Sequence, residues 1–150
     1  MVIGVGQEFR RDDGAGPRVV ARLREHLPPG TRCLVSDGDP AQLIEAWDGA
    51  GLAVVADAAR SAAGVPGRLH RWVLDRDHPF LEPAVSSHGL GLSEAIGLAG
   101  ALGRLPERLI VHTVEVSDVG LGPGLTPPVA AALGPLAAAI LRDLGPHPVA

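Results

Sequence analysis

Asp13, Asp57 and His88 are the residues of this chain whose types and positions suggest chemistry. Asp13 is the second of two adjacent carboxylates in GVGQEFRRDDGAG (residues 4–16), where the apolar run MVIGV is cut by a glycine turn. Asp57 closes the apolar run LAVVA (residues 52–56), and His88 lies in SSHGLGL (residues 86–92), just before a helix-like segment. Taken singly, each has an ordinary structural explanation. A first-turn carboxylate suits the helix dipole, an aspartate after a strand caps or turns the chain, and a loop histidine can do the same. Taken together, two carboxylates and an imidazole at one sheet edge form a borderline nitrogen–oxygen site for a divalent transition metal. Three protein ligands leave coordination positions open for water or for a partner's ligands.

Other motifs carry less. Gly4-Val5-Gly6 follows a strand, yet the third glycine of a dinucleotide fingerprint would fall on Phe9. Glu8, Asp12 and Asp13 also crowd the place where a pyrophosphate needs bare amides, and no GK[ST] follows for a P-loop. DGDP (residues 37–40) could add a carboxylate at the same edge but is equally ordinary turn chemistry. Ser86 and Ser87 precede His88 without a GxSxG elbow, which argues against serine hydrolysis. His112 lies inside a strand-like run and reads as a core or face residue, and His26, His70, His78 and His147 lack metal-like spacing. The single Cys33, in the apolar run CLV, excludes an internal disulfide and reads as a buried thiol.

The elements that must position these residues follow from hydrophobic period. Apolar strand-like runs are expected over 1–5, 32–36, 52–56, 69–74 and 108–114, and helices over 13–27, 40–47, 89–102 and 127–144. Val19, Val20, Leu23 and Leu27 share one helical face, Pro17 is tolerable in a first turn, and Pro28-Pro29-Gly30 ends that helix. Leu43, Ile44 and Trp47 are expected inward. Residues 61–67 and 120–128 read as loops, and 75–83 as a polar connection. Alternation from end to end indicates an α/β layered architecture in one domain spanning 1–150.

Composition narrows the field of partners. With 13 basic and 17 acidic side chains the formal net charge is −4, which offers no electrostatic reason to bind nucleic acid or an anionic membrane. Only two Phe, two Trp and no Tyr mean that the core is built from Val, Leu, Ile and Ala. No secretory leader or membrane-length apolar run is visible, so a cytoplasmic protein is expected.

The chain resembles the hydrogenase maturation endopeptidases over nearly its whole length. The resemblance rests on VIGVGQEFRRDDGAG, on VVADA ending at Asp57 and its neighbour, on SSHGLGL around His88, and on GLGPGLTPPV before the last helix. It implies a three-layer α/β/α sandwich on a five-stranded, mostly parallel mixed sheet, of the phosphorylase/hydrolase-like kind. It also implies an endopeptidase that removes the C-terminal extension of a nickel–iron hydrogenase large-subunit precursor after nickel insertion. Asp13, Asp57 and His88 occupy the family's metal-binding and catalytic positions, and nickel would come with the precursor, with no organic cofactor. A monomer is expected. One departure is visible: the family usually has Asn after the GxG turn, and this chain has Gln7 followed by Glu8. The acidic pair is Asp-Asp rather than the Asp-Glu of some members, which keeps the ligand type on a shorter arm. Two alternatives stay open at this point. One is a non-catalytic nickel- or precursor-binding maturation chaperone on the same fold. The other is a small-molecule hydrolase or nucleoside phosphorylase relative, for which Arg10 and Arg11 are the suggestive pair.

Overall fold

Alternating side chains of five β-rich segments build two apolar faces from one sheet. In the computed structural model, which describes residues 1–60, 64–78 and 91–145, β1 (Val2–Val5), β2 (Cys33–Ser36), β3 (Leu52–Ala59), β4 (Leu69–Asp75) and β5 (Arg108–Glu115) form one five-stranded sheet. The strand order is β2-β1-β3-β5-β4; only β4, at one edge, runs antiparallel to its neighbour. Val2, Val54 and Ile110 point to one face, Ile3, Val55 and Val111 to the other, as a period of two requires. Helices α1 (Ala15–Leu23) and α4 (Pro127–Leu144) cover the first face, through Val19, Val20, Leu23, Leu136 and Ile140. The second face is covered by α2 (Pro40–Trp47) and α3 (Gly91–Leu102), through Leu43, Trp47, Leu92 and Ile96. The expected three-layer mixed-sheet architecture is what the chain forms.

Element boundaries differ from the sequence reading in two places that bear on the site. The helix expected over 13–27 is preceded by a 3₁₀ turn, Arg11–Gly14, and its α-helical part ends at Leu23. His26 N–H donates to Leu23 C=O at 2.8 Å, so the last turn tightens. Pro28 accounts for this, since it disfavours helical geometry at Leu27 and has no N–H to continue the ladder. The second difference concerns Asp57, expected to end its strand. Instead β3 runs on to Ala59, paired with β5 as far as Ala59↔Glu115. An aspartate is unfavourable in a strand, but the long neighbour supplies a ladder that outweighs this. On its other side β3 loses its partner at Gly4↔Ala56, one residue before Asp57.

Connections are punctuated as expected. Asp39 caps α2, accepting from Ala41 N–H at 3.2 Å, and Asp37 accepts from Asp39 N–H at 3.1 Å, so DGDP is turn chemistry. Cys33 is half-buried on an edge strand rather than fully buried, and burial raises its thiol above the ordinary value, which opposes a nucleophilic role. Among the described residues no helix is long and apolar enough to cross a membrane.

Candidate active site

The strand order places a topological switch point between β1 and β3. From β1 the chain moves to β2 on one side, then crosses to β3 on the other, which opens a crevice at the carboxyl ends of these two parallel strands. Asp13 lies beyond the end of β1, and Asp57 lies just past the last β1–β3 pair. Both sequence-predicted carboxylates therefore belong to the switch-point crevice.

Glycine packing seats the turn that carries Asp13 against these strands. A Cβ on Gly16 would lie 2.4 Å from Val5 O and 2.7 Å from Ala56 O, so the start of α1 rests directly on both strands. Gly6, at φ +144°, lets the chain turn beneath the Asp13 carbonyl, where a Cβ would come within 1.9 Å of that oxygen. These contacts fix Asp13, three residues before Gly16, against the strand that carries Asp57. Each carboxylate is buried, at 1% exposure, and each is oriented by a backbone amide. Gln7 N–H donates to Asp13 Oδ2 at 3.1 Å, and Ala58 N–H donates to Asp57 Oδ1 at 2.8 Å. Gln7 therefore reaches Asp13 through its backbone amide, a contact that does not use its side chain.

Asp12 does something different from its neighbour. Fully buried, it accepts from Thr126 N–H at 2.7 Å on Oδ1 and from Ser117 N–H at 3.1 Å and Asp118 N–H at 3.2 Å on Oδ2. The Thr126 hydroxyl donates to both oxygens, at 3.0 and 2.8 Å. Burial alone would raise this carboxyl's pKa. The hydrogen bonds from Thr126, Asp118 and Ser117 outweigh that and hold it below the ordinary carboxylate value. Asp12 is thus a clamp that ties the 3₁₀ turn to the 117–126 loop, more than a hundred residues away.

On the face shared with Asp57, β5 presents Thr113 and Glu115. Thr113 is the register partner of Asp57, and its buried hydroxyl has no hydrogen-bond partner among the described residues. Glu115 accepts from Val65 N–H and lies 2.8 Å from His70 Nε2, which fastens the edge strand β4 and the residues before it to β5. Burial would raise its carboxyl, but these partners bring it below the usual range.

His112 points to the opposite face, as a core histidine. Its Nε2 is 2.5 Å from Asp143 Oδ2 on α4, and Arg71 Nη2 donates to Asp143 Oδ1 at 2.6 Å. Burial lowers the His112 pKa despite the adjacent carboxylate.

His88, Ser86, Ser87 and His147 lie outside the described residues, as do residues 61–63 of the expected 61–67 loop and 89–90 of the expected 89–102 helix. Gly91, three residues after His88, is described. A Cβ there would lie 2.8 Å from Gly38 O, so α3 begins beside the β2–α2 turn at the carboxyl side of the sheet. Among the described residues no three His, Cys, Asp or Glu side chains form a metal-holding group.

Fold and site together define an open α/β protein with two buried carboxylates, Asp13 and Asp57, placed at the carboxyl ends of the strands that flank its switch point. The sequence profile described as HycI, hydrogenase maturation protease, matches residues 17–143. The chain is 32% identical to the hydrogenase expression/formation protein HupD of Bradyrhizobium diazoefficiens, over 97% of this chain and 79% of that protein. Its structure superposes on the hydrogenase-maturating endopeptidase HybD of Escherichia coli with TM-score 0.76 at 25% identity, covering 97% and 93% of the two chains. The fold is also that of the [NiFe] hydrogenase maturation protease HybD of Thermococcus kodakarensis, with TM-score 0.72 at 24% identity over 97% of each chain. The protein belongs to the hydrogenase maturation protease family. It is a peptidase, which sets aside the chaperone and the small-molecule hydrolase readings.

Proposed function

We propose that this peptidase removes the C-terminal extension of a nickel–iron hydrogenase large-subunit precursor once nickel has been inserted. Nickel held by the precursor is its recognition element. The observation that supports this reading best is the pair of buried carboxylates, Asp13 and Asp57, brought to one crevice by the Gly16 contact and each held by an amide.

Asp13, Asp57 and His88 complete the coordination of the nickel that the precursor carries in. Two carboxylate oxygens and one imidazole suit a divalent ion of this borderline character. Orientation by Gln7 N–H and Ala58 N–H keeps the carboxylates in place before the metal arrives, so little ordering remains to be done on docking. Docking on the ion aligns the scissile peptide, which makes the metal a test of correct loading as well as a positioning device. Hydrolysis also needs a proton taken from water and one given to the leaving amine, and the same carboxylates are the groups suited to that traffic.

The test is intact-mass analysis of nickel-loaded and nickel-free precursor after incubation with the protein. Wild type should shorten only the loaded precursor, and Asp13→Asn, Asp57→Asn and His88→Ala should leave it intact. Processing of the nickel-free precursor at the same rate would sink nickel recognition. Normal processing by the variants would sink the residue assignment.

A further inference from the structure

Two large apolar side chains stand in solvent beside the crevice, on backbone too well held to be incidental. Phe9 is 73% exposed and Leu121 86%, whereas the next most exposed large apolar side chain among the described residues, Leu102, is at 56%. They are neighbours: Arg10 pairs with Gly122 in a parallel bridge, so Phe9 sits beside Leu121 in the same register. Gly122 N–H donates to Phe9 C=O at 2.8 Å, and Arg11 N–H donates to Gly122 C=O at 2.9 Å. Arg11 adopts φ +48°, a left-handed conformation unfavourable for a long side chain, and its Nε lies 3.4 Å from Asp118 Oδ2. Directly behind these residues, the Asp12 clamp holds both loops from within.

We infer that Phe9 and Leu121 form a preformed apolar contact for the precursor, packing against an apolar patch beside the bond to be cut. This rests on the function proposed above and specifies part of its docking surface. Continuity with the active site identifies the occupant. Phe9 is four residues from Asp13, whose carboxylate accepts from Gln7 N–H and whose own N–H donates to Arg10 C=O at 3.1 Å. Four residues span at most about 14 Å even when fully extended. A polypeptide held at Asp13 therefore passes within a few residues' length of the Phe9–Leu121 pair. Apolar side chains carried on a held backbone next to a reaction centre contribute affinity because little backbone entropy is left to lose on binding. Such a pair exposed on a loop that is clamped from behind gains nothing for folding and carries a hydration cost until covered.

The test is the concentration dependence of precursor processing by wild type, a Phe9→Ser/Leu121→Ser double variant, and Leu98→Ser. Leu98 is an exposed residue of α3 and serves as the control. The double variant should raise KM roughly tenfold or more while kcat at saturating precursor stays within about twofold, with an unchanged melting temperature. Leu98→Ser should match wild type. An unchanged KM for the double variant, with wild type active, overturns this inference and leaves the proposed function standing. Wild type that leaves nickel-loaded precursor intact overturns both. Sedimentation analysis of the free proteins adds a further arm. A wild-type dimer that dissociates on the double substitution assigns the patch to a second copy of the chain and overturns the inference.

Discussion

Substituting Asp12 by Asn changes one oxygen to NH₂ at a carboxylate that accepts donors on both oxygens. Asp12 receives donors on both oxygens: Thr126 N–H on one, Ser117 and Asp118 N–H on the other, and the Thr126 hydroxyl on both. An asparagine can turn its carbonyl to only one of these sides. Whichever it chooses, at least one of these part-buried backbone N–H groups then faces another donor. An orphaned buried donor costs roughly 1–3 kcal/mol, and bonds to a charged acceptor lose further strength on becoming neutral. The expected loss is about 2–4 kcal/mol, or a fall in melting temperature on the order of 10 °C. Urea unfolding read by circular dichroism gives the first figure, and hydrogen exchange should show faster exchange at the amides of 117, 118 and 126. The pH dependence supplies a second check. Because the native pKa of Asp12 is depressed, its stabilisation is fully present above the unfolded value near 3.9 and is lost as pH falls through the native value. Asp12→Asn should remove that part of the acid limb. A variant within about 0.5 kcal/mol of wild type, with unchanged exchange, would refute the clamp.

Three further outcomes follow from contacts described above. Gly16→Ala should destabilise by about 3 kcal/mol or more, or fail to fold, because its Cβ would meet the Val5 and Ala56 carbonyls; thermal melting decides. Thr113→Val, which removes a buried hydroxyl without a partner among the described residues, should be neutral or stabilising by up to about 1 kcal/mol in urea unfolding. His112 has a depressed native pKa, so between that value and the unfolded value near 6.5 the unfolded chain binds more protons. Stability should therefore decline as pH drops from about 7 toward 5, and His112→Gln should flatten this slope; an identical slope refutes the assignment.

Much of this architecture is readable in the residues because apolar period and punctuation agree. PAQLIEAW, between Asp39 and Asp48, occupies 40–47 as its period and cap demand, and the last helix spans 127–144 as expected. Local pattern failed where a distant partner decides. Nothing near Asp57 announces that β5 extends the ladder past it. Asp12 and Asp13 look alike in the sequence, and only donors 105 to 114 positions away separate a clamp from a candidate ligand. One signal was available. Thr126 precedes two prolines at the start of α4, an N-cap position, yet its hydroxyl makes no cap and turns to Asp12 instead. Phe9 and Leu121 could be seen as apolar residues in polar loops, but their adjacency depends on the bridge between Arg10 and Gly122.

The clamp also imposes an order on synthesis. The ribosome delivers Asp12 early, whereas Thr126 follows 114 residues later, so an emerging chain carries both crevice carboxylates long before the wall beside them can close. The full mouth of the peptidase forms only after the 117–126 segment has emerged. Truncated products that end before the 117–126 segment carry Asp13 and Asp57 without the tether that steadies their loop.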